Sequence, residues 1–280
     1  MIHASSTSTP TTHDPQEQTC STTGLHYLAA GSGSQAVVFV HGWMAFKEIW
    51  WSALRATAAT ARVYAPDLPG HGGSVGCPAT SMAQIAEMIA IFCAARGLNR
   101  IMLVGHSMGG NIAAELTLRH PDLIERLVLV NPAIQASDMP IYTRSYLSSH
   151  QGWLALRASI ALAQQVSRFG AHVPHEHGGG LIMPTLRRFR YMAQHDPEVI
   201  HRLLGAMFAN PLLERLPNIT QPTLLIAGQH DPLVPLALSR RVAQAIPGAR
   251  LAVIPNAAHN PMDEHPTTFS ALFLPFLGLR

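Results

Sequence analysis

Six short apolar runs, each closed by a turn residue, constrain this chain more tightly than anything else in it. They occupy residues 36–40, 62–65, 100–104, 126–130, 223–227 and 250–254, and the first four stop at His41-Gly42, Pro66-Asp67, Gly105 and Asn131-Pro132. A strand with one wet face alternates apolar and polar residues, whereas a continuous apolar run suits a strand covered on both faces, as in a parallel sheet. Helical patterns lie between the runs. Residues 81–95 open on a Ser81 cap and carry Ile85, Met88, Ile89 and Phe92 at helical spacing, and 107–119 and 236–245 read the same way. Strand–helix alternation of this kind builds right-handed βαβ units, so the expected fold class is α/β with a mostly parallel sheet and helices on both faces. Residues 24–30 are expected as an antiparallel edge strand.

The rhythm breaks between about residues 133 and 216, where helical stretches occur without a buried strand. Within it, 182–210 reads as two helices separated near Asp196-Pro197. An all-helical insert between two strands of a parallel sheet is expected to cap the strands' C-terminal edge, where open α/β sheets bind ligands. The predicted organisation is a disordered leader at 1–22, a core formed by 23–133 and 217–280, and a helical cap insert at 134–216.

Composition narrows the function classes. With 48% hydrophobic and 12% charged residues the chain can bury a large core, which excludes global disorder. The net charge of +3 is small, Lys47 is the only lysine, and no basic run occurs, which argues against a nucleic-acid partner. No apolar stretch approaches the 18 residues or so of a membrane span. The Ser/Thr/His/Pro-rich start has neither a basic opening nor an apolar stretch and does not read as a signal peptide. Cys20, Cys77 and Cys93 are an odd number without CxxC spacing, and read as free thiols of a reducing, cytoplasmic compartment.

The strongest chemical signal is Gly105-His106-Ser107-Met108-Gly109-Gly110, a GxSxG pattern between a buried run and a helix. A strand that turns directly into a helix strains the serine backbone and exposes its hydroxyl. Residues two positions either side must lack side chains, or strand and helix collide. A serine hydroxyl also needs a base, and the base an orienting carboxylate. Asp231 follows the fifth run and His259 the sixth, so both belong to loops at the same sheet edge, in the order serine, acid, histidine. Among sixteen histidines His259 stands out by position; His230 is the rival base, and Asp67 and Asp263 are the rival acids. The backbone amides of Trp43 and Met108 are the expected oxyanion donors, Gly42 letting the chain approach the reacting carbonyl. Trp43's indole reads equally as packing or as a pocket wall. Substrate-pocket residues are expected at His41, Gly42, Phe189 and Met207.

Together these motifs resemble the α/β-hydrolase superfamily over about residues 24–279. The carriers are His41-Gly42-Trp43, the stretch from Asp67 to Ser74, the GxSxG elbow, Gly228-Gln229-His230-Asp231, and His259 with Glu264 and Pro266 behind it. Ala258 stands where that family usually has glycine before its histidine. The resemblance implies a sheet of eight or nearly eight strands, no cofactor or metal, and a serine hydrolase with Ser107, Asp231 and His259 as its catalytic residues. Serine at the elbow argues against aspartate-nucleophile dehalogenases and epoxide hydrolases. Carboxylesterase, lactonase and carbon–carbon bond hydrolase remain open, as do a lyase or cofactor-free oxygenase and a receptor with a slow triad. The expected partner is a small ester-type molecule, with the chain a monomer or homodimer.

Two cap features carry secondary expectations. Arg144, Arg157, Arg168, Arg187, Arg188, Arg190, Arg202 and Arg215 offer an anion-recognition reading, weaker than that of a solvated helix face. His172, His175 and His177 precede three glycines and read as a polar loop rather than a metal site.

Overall fold

The computed structural model of the 280-residue chain describes residues 13–148, 150–169 and 190–279. Eight strands form one sheet: β1 (Gln16–Thr19), β2 (His26–Ala30), β3 (Ala36–Val40), β4 (Arg62–Pro66), β5 (Ile101–His106), β6 (Ile124–Val130), β7 (Thr223–Gly228) and β8 (Arg250–Ile254). Their order across the sheet is β1-β2-β4-β3-β5-β6-β7-β8. The pairs β1/β2 and β2/β4 are antiparallel, and all others are parallel.

Why the runs are continuously apolar is visible in where their side chains go. Val38 and Val40 of β3 enter one core cluster, while Val37 and Phe39 enter the other. Leu103 and Val104 of β5 divide in the same way, as do Leu129 and Val130 of β6. The first core is closed by α2 (Met82–Ala95), α3 (Met108–Arg119) and, further along, Val242. The second is closed by α1 (Trp51–Ala58) and the C-terminal helix, through Leu54, Phe269 and Phe273. The Ser81 cap is in place, its side chain accepting from the Gln84 N–H, a contact worth about 1 kcal/mol.

Between β6 and β7 lie α4 (Ile141–Ser148), α5 (His150–Phe169) and α6 (Pro197–Phe208). Asp196 caps α6 by accepting from the N–H groups of Glu198 and Val199, which is why the Asp-Pro pair starts this helix. The core then resumes with β7, α7 (Leu236–Ala245), β8, a one-turn α8 (Pro261–Glu264) and α9 (Pro266–Leu277).

Two expectations are corrected at the N-terminal end. Gln16–Thr19 is not part of a disordered leader but pairs with β2, and β2 is therefore the second strand rather than the edge. Every β1 residue is exposed, so polar ties rather than burial hold it: backbone pairing with β2, the Tyr27 hydroxyl donating to Gln18 Oε1 at 2.6 Å, and Lys47 beside Glu17 at 3.0 Å. Among the described residues no helix is long and apolar enough to cross a membrane.

Candidate active site

The elbow is built as its glycines require. Ser107 sits at φ 53, ψ −117, between the last residue of β5 and the first of α3. A Cβ on Gly105 would stand 2.4 Å from the Gly109 carbonyl oxygen, and one on Gly109 would stand 2.3 Å from that of Val40. Strand and helix can approach this closely only without those atoms. The Ser107 N–H donates to the Val130 carbonyl at 3.0 Å, fixing the strained residue to the end of β6. Met108 opens α3, so its N–H belongs to the first-turn amides that have no partner within the helix.

Asp231 and His259 meet directly. His259 Nδ1 lies 2.7 Å from Asp231 Oδ2, while Asp231 Oδ1 accepts from the N–H groups of Leu233 (2.8 Å) and Val234 (3.0 Å). The carboxylate is thus anchored on one oxygen and presented on the other, with its side chain fully buried. Such an arrangement places the imidazole proton on Nδ1 and leaves Nε2 as the basic nitrogen. Ser107, His259, Trp43 and Met207 line one cavity of about 450 Å³, walled chiefly by apolar side chains such as Met139, Leu156 of α5, and Leu204 and Phe208 of α6.

Two of the three rivals stand elsewhere. Asp67 is fully buried and takes Lys47 Nζ at 2.8 Å, the Lys47 N–H at 3.0 Å and the Gly73 N–H at 2.9 Å, holding the turn after β4. His230 is exposed, and its N–H donates to the Ala257 carbonyl. Asp263 does line the cavity, as does Glu48. Glu48 bonds Lys47 through one oxygen at 3.0 Å, and burial, with Asp67 nearby, raises its pKa.

Of the expected pocket residues, Met207 lines the cavity and Phe189 lies outside the described residues. His41 and Gly42 do not line it, and their role is corrected to support beneath the site. His41 is fully buried, its Nε2 accepting from the Leu68 N–H at 2.9 Å and its Nδ1 facing the Gly42 carbonyl at 2.8 Å. A side chain on Gly42 would crowd Ser107 Cβ at 3.0 Å. Trp43's indole serves both roles proposed for it: it walls the cavity, and its Nε1–H donates to the Ile200 carbonyl of α6 at 2.9 Å.

No arginine lines the cavity among the described residues. Arg215 pairs with Glu115 at 2.7 Å, and Arg157 lies over the Trp153 ring. Arg187, Arg188 and the Arg168 side chain are outside the described set, as are His172, His175 and His177. Among the described residues no group of three metal-ligating side chains stands together.

From the sequence Glu264 could be placed behind His259 but was given no role, and neither His106 nor Asn131 was given one as a support of the His259 loop. Glu264 accepts the Ala258 N–H at 2.6 Å and the Asn260 N–H at 3.1 Å, bracketing the histidine. His106 Nε2 lies 2.8 Å from the His259 carbonyl, which can only accept, so that nitrogen carries the proton. Asn131 reaches the same carbonyl from β6. Its only local signal was a polar residue at the end of a buried run.

Known proteins share this plan. The sequence model of the α/β hydrolase fold family matches residues 35–266. A pimeloyl-(acyl-carrier protein) methyl ester esterase of Nitrosospira multiformis is 26% identical over 272 residues, covering 90% of this chain and 97% of that protein. The Serratia marcescens protein of the same name is 28% identical over 263 residues, covering 91% and 99%. The enol-lactonase of Burkholderia xenovorans superposes with a TM-score of 0.75 over 94% of this chain and 100% of its own, at 23% identity. The chain belongs to the α/β-hydrolase fold family.

Proposed function

We propose that the chain is a serine hydrolase of the esterase type that cleaves the carboxylic ester of a small to medium, largely apolar substrate through an acyl-enzyme on Ser107. The observation that carries this reading is His259, held by the anchored Asp231 of a neighbouring loop and lining one cavity with the strained elbow serine. In the first half-reaction the Ser107 hydroxyl attacks the ester carbonyl and His259 Nε2 takes its proton. His259 then returns that proton to the departing alkoxide, releasing the alcohol. In the second half-reaction water attacks the acyl carbonyl while His259 takes its proton, and His259 then gives that proton to Ser107 Oγ as it leaves and the acid is freed. Asp231 holds the imidazole tautomer and stabilises the imidazolium. The amides of Trp43 and Met108 hold the oxyanion, each worth about 2.7–4 kcal/mol to the transition state.

The apolar lining supports an uncharged acyl or alcohol group, and the names of the esterase relatives support a methyl or other short alkyl ester of a straight acyl chain. The test is a panel of alkyl and p-nitrophenyl esters, lactones and β-diketones, run with wild type and Ser107→Ala. Preferred turnover of uncharged esters, with a pre-steady-state burst that Ser107→Ala abolishes, is expected. Equal turnover by the variant on the best substrate would contradict the mechanism. Turnover of β-diketones alone would assign carbon–carbon bond cleavage instead.

A further inference from the structure

We propose that Asn131 is a positioning residue for His259, acting through the backbone of the histidine's loop; the proposal rests on the hydrolase reading above. Asn131 is the residue just past β6 and is fully buried. Its backbone takes a left-handed turn at φ 41, anchored by its own N–H on the Ile226 carbonyl of β7 at 3.0 Å. That turn aims the side chain along the sheet edge rather than into either core. Its Oδ1 accepts from the Gly228 N–H at 3.0 Å, and its Nδ2 donates to the carbonyls of Ala258 at 3.1 Å and His259 at 3.0 Å. One acceptor and both donor hydrogens of the amide are thereby engaged.

What these bonds join matters more than their number. The preceding residue, Val130, offers the carbonyl that takes the Ser107 N–H. Gly228 ends the strand that leads to Asp231, and the two carbonyls belong to the histidine and its neighbour. Asn131 therefore ties the acid and base loops to each other and follows directly on the residue that holds the nucleophile. From the other side, Glu264 takes the amides of Ala258 and Asn260, so the loop's carbonyls and amides are clamped in opposite directions. Losing the Asn131 donors removes the Ala258 tie and leaves the His259 carbonyl on His106 Nε2 alone, at 2.8 Å, and the imidazole shifts relative to Ser107 while the cavity walls stay put. A misplacement of about 1 Å at a reacting group can lower a rate on the order of 100-fold.

Three variants in the full chain separate positioning from simple stabilisation. Asn131→Gly keeps the left-handed turn and deletes the amide. Asn131→Asp keeps the acceptor for Gly228 and replaces the donors with an oxygen that repels both carbonyls. Glu115→Gln weakens another buried polar tie, between α3 and Arg215, away from the histidine loop. Expected are a fall in kcat of roughly 10- to 100-fold in both Asn131 variants with KM within about twofold of wild type, and wild-type kcat in Glu115→Gln despite a lowered Tm. In Asn131→Asp the acid limb of the kcat/KM profile moves to higher pH, because a carboxylate beside His259 favours the imidazolium. A folded Asn131 variant with wild-type kcat and an unmoved acid limb overturns the proposal. Should Asn131→Gly not fold, Asn131→Asp carries the same test. A wild type that turns over no ester removes the underlying hydrolase reading and the proposal with it, a result distinct from active wild type with indifferent variants.

Discussion

Single residues here are constrained by space or by partners, and the two give different predictions. Gly109 is spatial: a methyl group there meets the carbonyl oxygens of Val40 and His41 at 2.3 and 2.4 Å. Gly109→Ala must move α3 off the sheet, so unfolding in urea should show a loss of about 1–3 kcal/mol. Asp231 is constrained by partners. Asp231→Asn preserves the shape but offers His259 Nδ1 an ambiguous partner, and should lower kcat by about 10⁴-fold with little change in Tm. At this scale the sequence announced whatever depends on local chain geometry. The elbow could be read because its glycines lie within five residues of each other. Asp231 and His259 could be singled out because each follows a short apolar run, although the second of these, β8, is a half-exposed edge strand. Asn131, His106 and Glu48 could not, since their partners or surroundings arise from folding: the Asn131 amide reaches 97 to 128 positions along the chain.

Between elements, the joint of the segment linking β6 to β7 with the loops after β3 and β4 is made partly of histidine. The rings of His41 and His71 lie 5.0 Å apart and those of His71 and His195 5.1 Å apart, with Phe46 packed on His195 at 4.8 Å. His71 Nε2 accepts from the Met44 N–H at 3.2 Å, so the cluster also shapes the loop that follows Trp43. Burial lowers all three from the usual 6.5 to about 3. Unfolded imidazoles take up protons as pH falls through about 6.5, whereas these stay neutral until about 3 in the folded chain. The unfolded chain therefore binds more protons in that interval, so the contribution is complete above 6.5 and is lost as pH falls toward 3. Replacing His195 with leucine should flatten the dependence of unfolding free energy on pH, read from urea midpoints at several pH values below 6.5. A slope equal to wild type would show that His195 does not bear it. Sixteen histidines in a sequence give no hint of which three will stack, because the stacking brings residue 195 against residues 41 and 71.

For the whole molecule, stability rests on two apolar clusters on opposite faces of the sheet. Phe273 of α9 packs edge-on to Phe39 of β3 at 6.1 Å and against Phe269 at 4.9 Å. Phe273→Ala should cost about 3–5 kcal/mol in urea unfolding, enough to threaten folding of a domain of ordinary stability. The parallel sheet was legible because each central strand must be apolar on both faces. β1 was not, since Gln16, Glu17, Gln18 and Thr19 are all exposed and carry no apolar pattern, and their partners, the β2 backbone, the Tyr27 hydroxyl and Lys47, are set by the fold.

The central claim, that Ser107 is an activated nucleophile, is most directly tested by intact-mass spectrometry after exposure to a fluorophosphonate, followed by peptide mapping. One stoichiometric adduct is expected on Ser107, absent from Ser107→Ala and much slower to form in His259→Ala. Wild type left unmodified while folded, or an adduct that persists in Ser107→Ala, would contradict that claim.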